Sequence, residues 1–70
     1  MKVTYDKSAN AVYIYVKATI KAGEAVKQIV VEHNDNIILD FDKNGKLLGV
    51  EVLDARETLP PELLRNAEHL

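Results

Sequence analysis

The stretch Asp40-Phe41-Asp42-Lys43-Asn44-Gly45, followed after five residues by Glu51, carries the most chemistry in the chain. It puts oxygen-bearing side chains at loop positions 1, 3, 5 and 12, glycine at 6 and the apolar Leu47 at 8, which is the pattern of an EF-hand calcium loop. An EF-hand needs a helix on each side, and both flanks here alternate apolar and polar residues as strands do. Lys43 and Lys46 would also stand beside the cation. Asp42, Asn44 and Gly45 are therefore read as turn chemistry. A looser acidic arrangement remains. In the strand register argued below, Asp40, Asp42 and Glu51 share one face, and Gly49 opposite Asp40 leaves space there. These three carboxylates are the candidates for a weak divalent-metal site, and a carboxylate-based metal-binding protein is the alternative function. No other cofactor is expected.

Further reactive groups are sparse. His33 and Asp35 sit in one polar turn without a third partner at a usable spacing, so His33 is read as an exposed turn residue. His69 is expected in the last turn of a C-terminal helix, where its charged form favours the helix dipole. Ser8 is the sole serine, no threonine stands in a nucleophile arrangement, and the three glycines are too scattered for a phosphate loop. The expectation is a protein without enzymatic activity. Tyr5, Tyr13 and Tyr15 could stack bases, but Lys and Arg do not cluster around them in sequence as a nucleic-acid groove requires. Core or interface packing suits them better.

Composition narrows the classes further. Nine basic residues against eleven acidic ones leave a net charge of −2 in 70 residues, which gives no general reason to bind nucleic acid or an anionic membrane. The absence of cysteine excludes disulfides, Cys-type zinc sites and thiol nucleophiles. No apolar run approaches a spanning helix, and the opening Met1-Lys2-Val3-Thr4 lacks the apolar core of a signal peptide, so a cytoplasmic location is expected. Length allows one domain over residues 1–70. A chain of this mass should fold to about 4,400 Å² of surface, and burial worth on the order of 100 kcal/mol then meets roughly 105 kcal/mol of ordering cost. With no disulfide to help, a homodimer or a tightly held protein partner is the expected source of further stability.

The elements that must position these groups are mainly strands. Val3-Thr4-Tyr5 and residues 11–16 are rich in β-branched and aromatic side chains, separated by a turn in which Asp6 can accept from the backbone two or three residues on. The second strand has apolar or aromatic residues on both faces, as in a central strand or one under a partner. Residues 25–32 form a third, less regular strand. Residues 37–53 are two alternating runs around Asn44-Gly45, the strongest short-range hairpin signal, with a type I′ turn expected. Pairing Lys43 with Lys46 sets Phe41 opposite Leu48, Leu39 opposite Val50 and Ile37 opposite Val52, which assembles one apolar face. A four-residue loop gives the same register, whereas a three-residue loop would set Leu39 against Gly49 and Ile37 against Glu51 and is rejected. The reverse face is mixed, holding Ile38, Asp40, Asp42, Leu47, Gly49, Glu51 and Leu53. A helix is expected over about residues 60–69, with proline and Glu62 in its first turn and a stripe of Leu59, Leu63, Ala67 and Leu70 widened by Leu64.

Four blocks carry a family resemblance: Val3-Thr4-Tyr5-Asp6; Ala9-Asn10-Ala11-Val12-Tyr13-Ile14; Ile38-Leu39-Asp40-Phe41-Asp42; and Gly45-Lys46-Leu47-Leu48-Gly49-Val50-Glu51-Val52-Leu53-Asp54-Ala55. Their order and spacing over about residues 2–57 resemble the YuzE-like small proteins, domain of unknown function 2283. Asn10 departs from the acid expected before the second strand, and residues 17–32 match only in character. The resemblance implies no known activity. It implies similarity to the small partner of toxin–antitoxin-like pairs, with Gly45 shaping the hairpin and Gly49 sparing room on the mixed face.

The expected architecture is α+β: a small antiparallel sheet of four or five strands over about residues 2–54 with one short C-terminal helix. The expected function is a cytoplasmic protein-interaction module, homodimeric, with a small toxin as a further partner and no direct contact with membrane or nucleic acid. Tyr13, Tyr15, Ile38, Leu47, Leu53, Leu63 and Leu64 are the interface candidates, because too many apolar residues fall on faces that one short helix cannot cover.

Overall fold

The computed structural model describes the whole chain, Met1–Leu70. The alternating runs become strands β1 (Lys2–Asp6), β2 (Ala11–Tyr15), β3 (Lys27–Val30), β4 (Ile37–Phe41) and β5 (Leu47–Val52). Two short helices follow, α1 (Ala55–Thr58) and α2 (Pro61–Asn66), and then a two-residue strand β6 (Glu68–His69). One sheet holds all six strands in the order β3-β4-β5-β2-β1-β6. Its pairs are antiparallel except β1 with β6, which is parallel. The expectation of α+β with a central β2 holds, but the sheet has six strands, not four or five, and is mixed. No helix is long and apolar enough to cross a membrane.

Three differences from the sequence reading have local causes. The hairpin turn is not type I′: only Gly45 takes positive φ, at 78°, and not Asn44. Asp42 N–H donates to the Lys46 carbonyl at 2.9 Å and Gly45 N–H to the Asp42 carbonyl at 3.0 Å, the pattern of the three-residue loop that the register argument rejected, ending on a left-handed glycine. Such a loop alone would misalign the apolar face. A bulge corrects it, because Phe41 faces Leu47 while Asp40 faces Gly49, so Leu48 is the extra residue and Leu39 still meets Val50. Both Val16 and Lys17 donate their N–H groups to the Leu48 carbonyl at 2.9 Å, and the Leu48 side chain is fully buried.

The second difference lies after β5. Asp54 adopts left-handed backbone (φ 48°), which ends the strand at Val52 and starts α1; Asp54 and Glu57 have the spacing of a capping box, but the Asp54 side chain makes no cap bond. Its first turn is capped from a distance. Asn10, itself left-handed at φ 53°, accepts from Ala55 N–H through its carbonyl (2.9 Å) and from Arg56 N–H through Oδ1 (3.0 Å), and donates through Nδ2 to Glu57 (2.9 Å). An acid at position 10 could cap as well but would repel Glu57.

The third difference is the tail. The expected helix over 60–69 is confined to Pro61–Asn66, because Ala67 turns extended (ψ 156°) and the chain docks beside β1. His69 is therefore a strand residue opposite Tyr5 and not the end of a helix.

One face of the sheet carries the core. Tyr5, Val12, Val52 and Ala55 are buried together, and Leu59, Leu63, Leu64 and Ala67 of the helical segment pack on them along with Val3, Ile14 and Val50. The helices thus cover β1, β2 and β5 of their own chain. They leave β3 bare, every one of its four residues exposed. The folded surface is 4879 Å², against about 4,400 Å² for a typical monomer of this mass. The radius of gyration is 12.0 Å where about 11 Å is usual for this length, and the molecule is a slab of 33 × 26 × 18 Å.

Candidate functional site

The face away from the helices gathers the polar and aromatic residues of four neighbouring strands. Tyr13 lies opposite Glu51 on β5, while Gly49, two residues earlier, lies opposite Asp40 on β4. Gln28 of β3 is paired with Asp40 in turn. The Tyr13 ring crosses β5 diagonally over Gly49 and donates its hydroxyl to Asp40 Oδ2 at 2.7 Å. Gln28 Nε2 donates to Asp40 Oδ1 at 2.9 Å from the other side. One carboxylate therefore ties β2, β4 and β3 together over a bare fifth strand.

Glycine at 49 is a requirement of this arrangement. A Cβ there would stand 2.6 Å from Tyr13 Cε2 and Cζ, closer than carbon atoms approach. The room that Gly49 spares is filled by the chain's own tyrosine and is not open to a ligand. Asp40 is buried, and each of its oxygens has a partner, so its charge is compensated by hydrogen bonds and not by a cation. Burial raises the Tyr13 phenol above its ordinary value of 10.0, and the hydrogen bond to the Asp40 carboxylate raises it further. Tyr13 is thus held as a neutral donor.

Next to it Tyr15 meets the Tyr13 ring edge-on (centroids 4.8 Å apart, planes at 69°), and Lys2 Nζ sits 5.0 Å from the Tyr15 centroid. The ladder Gln28–Asp40–Tyr13–Tyr15–Lys2 spans the sheet from β3 to β1. Two of the expected interface residues, Tyr13 and Tyr15, are half-buried and cover their own sheet.

The other residues singled out from the sequence are scattered. Asp42 belongs to the hairpin: its Oδ1 accepts from Asn44 N–H and Lys46 N–H, both at 2.9 Å. Glu51 stands on β5 between Tyr13 and Ile38. Asp40, Asp42 and Glu51 do not form a metal-holding set, and no group of three His, Asp or Glu is placed to do so. Leu63 and Leu64 pack on the core of their own chain. Ile38 is half-buried beside Val30, whereas Leu47 and Leu53 are exposed. Asp6 accepts from Ser8 Oγ (2.9 Å) and Ala9 N–H (3.2 Å), as the turn sequence suggests, and the Ser8 bond leads in lowering its carboxyl below the usual range.

One exposed apolar stretch is one that the sequence marked only as irregular. Ile29 and Val30 of the outermost strand are 42% and 53% exposed, and Val26, just before it, 60%. Glu24, just before it, is held by Lys17, chiefly through a side-chain bond that lowers its carboxyl. The signal was available in residues 25–32, where apolar side chains occur on both faces of a strand with no second covering element. What the sequence did not show is that this strand lies at the edge.

The family model described as protein of unknown function (DUF2283) matches residues 2–56. The chain belongs to that family. The matched segment runs from β1 to the start of α1 and so contains Tyr13, Gln28, Asp40 and Gly49, while α2 and β6 lie beyond it. Membership of domain of unknown function 2283 agrees with the resemblance drawn from the four sequence blocks. No curated protein and no solved structure matches the chain.

Proposed function

We propose that this protein is a non-catalytic interaction module whose first partner is a second copy of itself, joined along β3. The observation that carries the reading is β3 itself, a strand with a single neighbour whose Ile29 and Val30 are exposed on its two faces, with Val26 exposed just before it. Edge strands in monomers are usually shortened, charged or covered, because their free N–H and C=O groups template further pairing. β6 at the opposite edge follows that rule with two residues; β3 has four, and its one charge, Lys27, stands at its start and leaves Ile29 and Val30 bare. Pairing two copies side by side would extend the sheet through both molecules and cover the surface that a monomer of this mass ordinarily does not expose.

A small toxin as a further partner rests on the likeness to YuzE-like proteins, and a cytoplasmic setting suits a chain without cysteine. Co-expression with the product of the adjacent gene tests the toxin: failure to co-purify, with a neighbour harmless on its own, removes it. Self-association is tested by light scattering over a concentration series. The expected mass is twice 7.8 kDa, falling to one copy in Ile29→Lys, which sets a charge on the edge without touching the core. A single-copy mass for the unaltered protein at all concentrations contradicts the reading.

A further inference from the structure

Beneath the tail, on the helix-covered side, lies a cavity of about 430 Å³, within the size range of small-molecule sites. Its walls include Lys7, Arg56, Arg65 and His69, and no carboxylate lines it. That is unexpected for a chain whose acids outnumber its bases. The ion pairs of the molecule, Lys2 with Glu68 and Lys17 with Glu24, involve none of these residues. Three permanent cations therefore border one hollow without a counter-charge from the protein.

The hollow is also built and not merely charged. Tyr5, itself buried, has its hydroxyl fixed by Arg56 Nη1 at 3.4 Å. The His69 ring stands edge-on to Tyr5, with centroids 5.4 Å apart and planes at 85°. Its Nε2 lies 3.0 Å from the Leu64 carbonyl oxygen, and since a carbonyl only accepts, Nε2 is the protonated nitrogen. Tyr5 and Leu64 offer apolar surface next to these donors.

We propose that this cavity binds a small phosphomonoester, its phosphate held by Arg56, Arg65 and Lys7 and its organic body laid against Tyr5 and Leu64. A phosphate dianion matches the site better than a carboxylate, because it brings two charges and three acceptor oxygens to two forked guanidinium groups and an ammonium. Arg56 spends one donor on Tyr5 and keeps the others. The site is independent of β3, so its occupancy does not depend on self-association.

Phenyl phosphate, inorganic phosphate and benzoate serve as probes in titrations followed by amide and side-chain NMR at fixed pH and ionic strength. Phenyl phosphate is expected to bind saturably, with shifts centred on Tyr5, Arg56, Arg65 and His69. It should bind more tightly than inorganic phosphate, which lacks the body, and than benzoate, which lacks the second charge. Arg65→Gln, on an exposed side chain, should weaken it by about tenfold or more, and Arg56→Gln likewise, with unchanged spectra elsewhere. Lys7→Gln provides a third variant that leaves the Tyr5 contact intact. Shifts that do not saturate, binding in Arg65→Gln and Lys7→Gln as tight as in the parent, or benzoate binding as tightly as phenyl phosphate would each overturn the proposal. So would a preference for an oligonucleotide over phenyl phosphate, with shifts spread over other surface lysines.

Discussion

Val12 and Ile29 are β-branched residues on the same face of one sheet, yet Val12 is 1% exposed and Ile29 42% exposed. The difference lies in what each half is given as cover. Over β1, β2 and β5 the chain returns as α1 and α2, and Ala55, Leu59, Leu63 and Leu64 close the face. Over β3 nothing returns, because the segment after β5 is spent near β1, ending as β6. Similar side chains therefore form a core in one half and an open surface in the other. The two halves are joined across the opposite face by Tyr13, which reaches from β2 over Gly49 to Asp40 on β4. A side chain's type indicates that it should be buried; only the path of the chain decides whether its own molecule does it.

The comparison can be broken most strongly from the covered half. Val52→Ala removes a fully buried side chain from the helix-covered core and should cost about 2 kcal/mol or more in urea unfolding. Ile29→Ala, measured in dilute solution where copies are separate, should stay within about 0.5 kcal/mol of the parent. Comparable losses in the two variants would mean that β3 is packed after all.

The seam between the halves comes next. Gly49→Ala should displace the Tyr13 ring and cost about 1–3 kcal/mol, while Tyr13→Phe keeps the ring and leaves Asp40 short of a donor, at about 1–3 kcal/mol. The seam also has a pH signature. Because the folded pKa of Tyr13 lies above its unfolded value, the folded state keeps a proton that the unfolded state has lost, and stability falls as pH rises beyond the ordinary 10.0. Unfolding curves through this range should show that fall in the parent and less of it in Tyr13→Phe.

The smallest effect belongs to the first turn. Asp6 is lowered below its ordinary 3.8, so the stability it contributes is present above that value and is lost as pH falls through the lower folded value. Denaturation at about pH 5 and about pH 2.5 should show a slightly weaker acid dependence in Asp6→Asn than in the parent.

Much of the covered half was legible in the sequence. The alternation in residues 37–53 fixed the pairing of Ile37 with Val52 and Leu39 with Val50, and the Asp6 turn was readable from its acceptor. The loop type was not, because two local irregularities cancel: a three-residue turn shifts the register by one and the bulge at Leu48 restores it. α1 was overlooked although Asp54 and Glu57 carry capping-box spacing, and β6 was illegible. α1 is started by the left-handed Asp54 and capped by Asn10, which lies more than forty residues away in sequence. β6 is a strand only because β1 offers it an edge.

Of the candidate site, the space at Gly49 opposite Asp40 was visible, but its occupant was not. That required knowing that β2 lies beside β5, a long-range fact that alternation does not carry. Tyr13 and Tyr15 were recognised as packing residues, yet they pack on their own sheet. The basic hollow was invisible because Lys7, Arg56, Arg65 and His69 come from widely separated positions and converge only when the tail docks on β1.

Hydrogen exchange at the β3 amides that do not bond to β4 tests the open edge most directly. Self-association along β3 predicts slow exchange of these amides in concentrated solution and fast exchange on dilution or in Ile29→Lys. Exchange at the rate of a free strand at every concentration would contradict it.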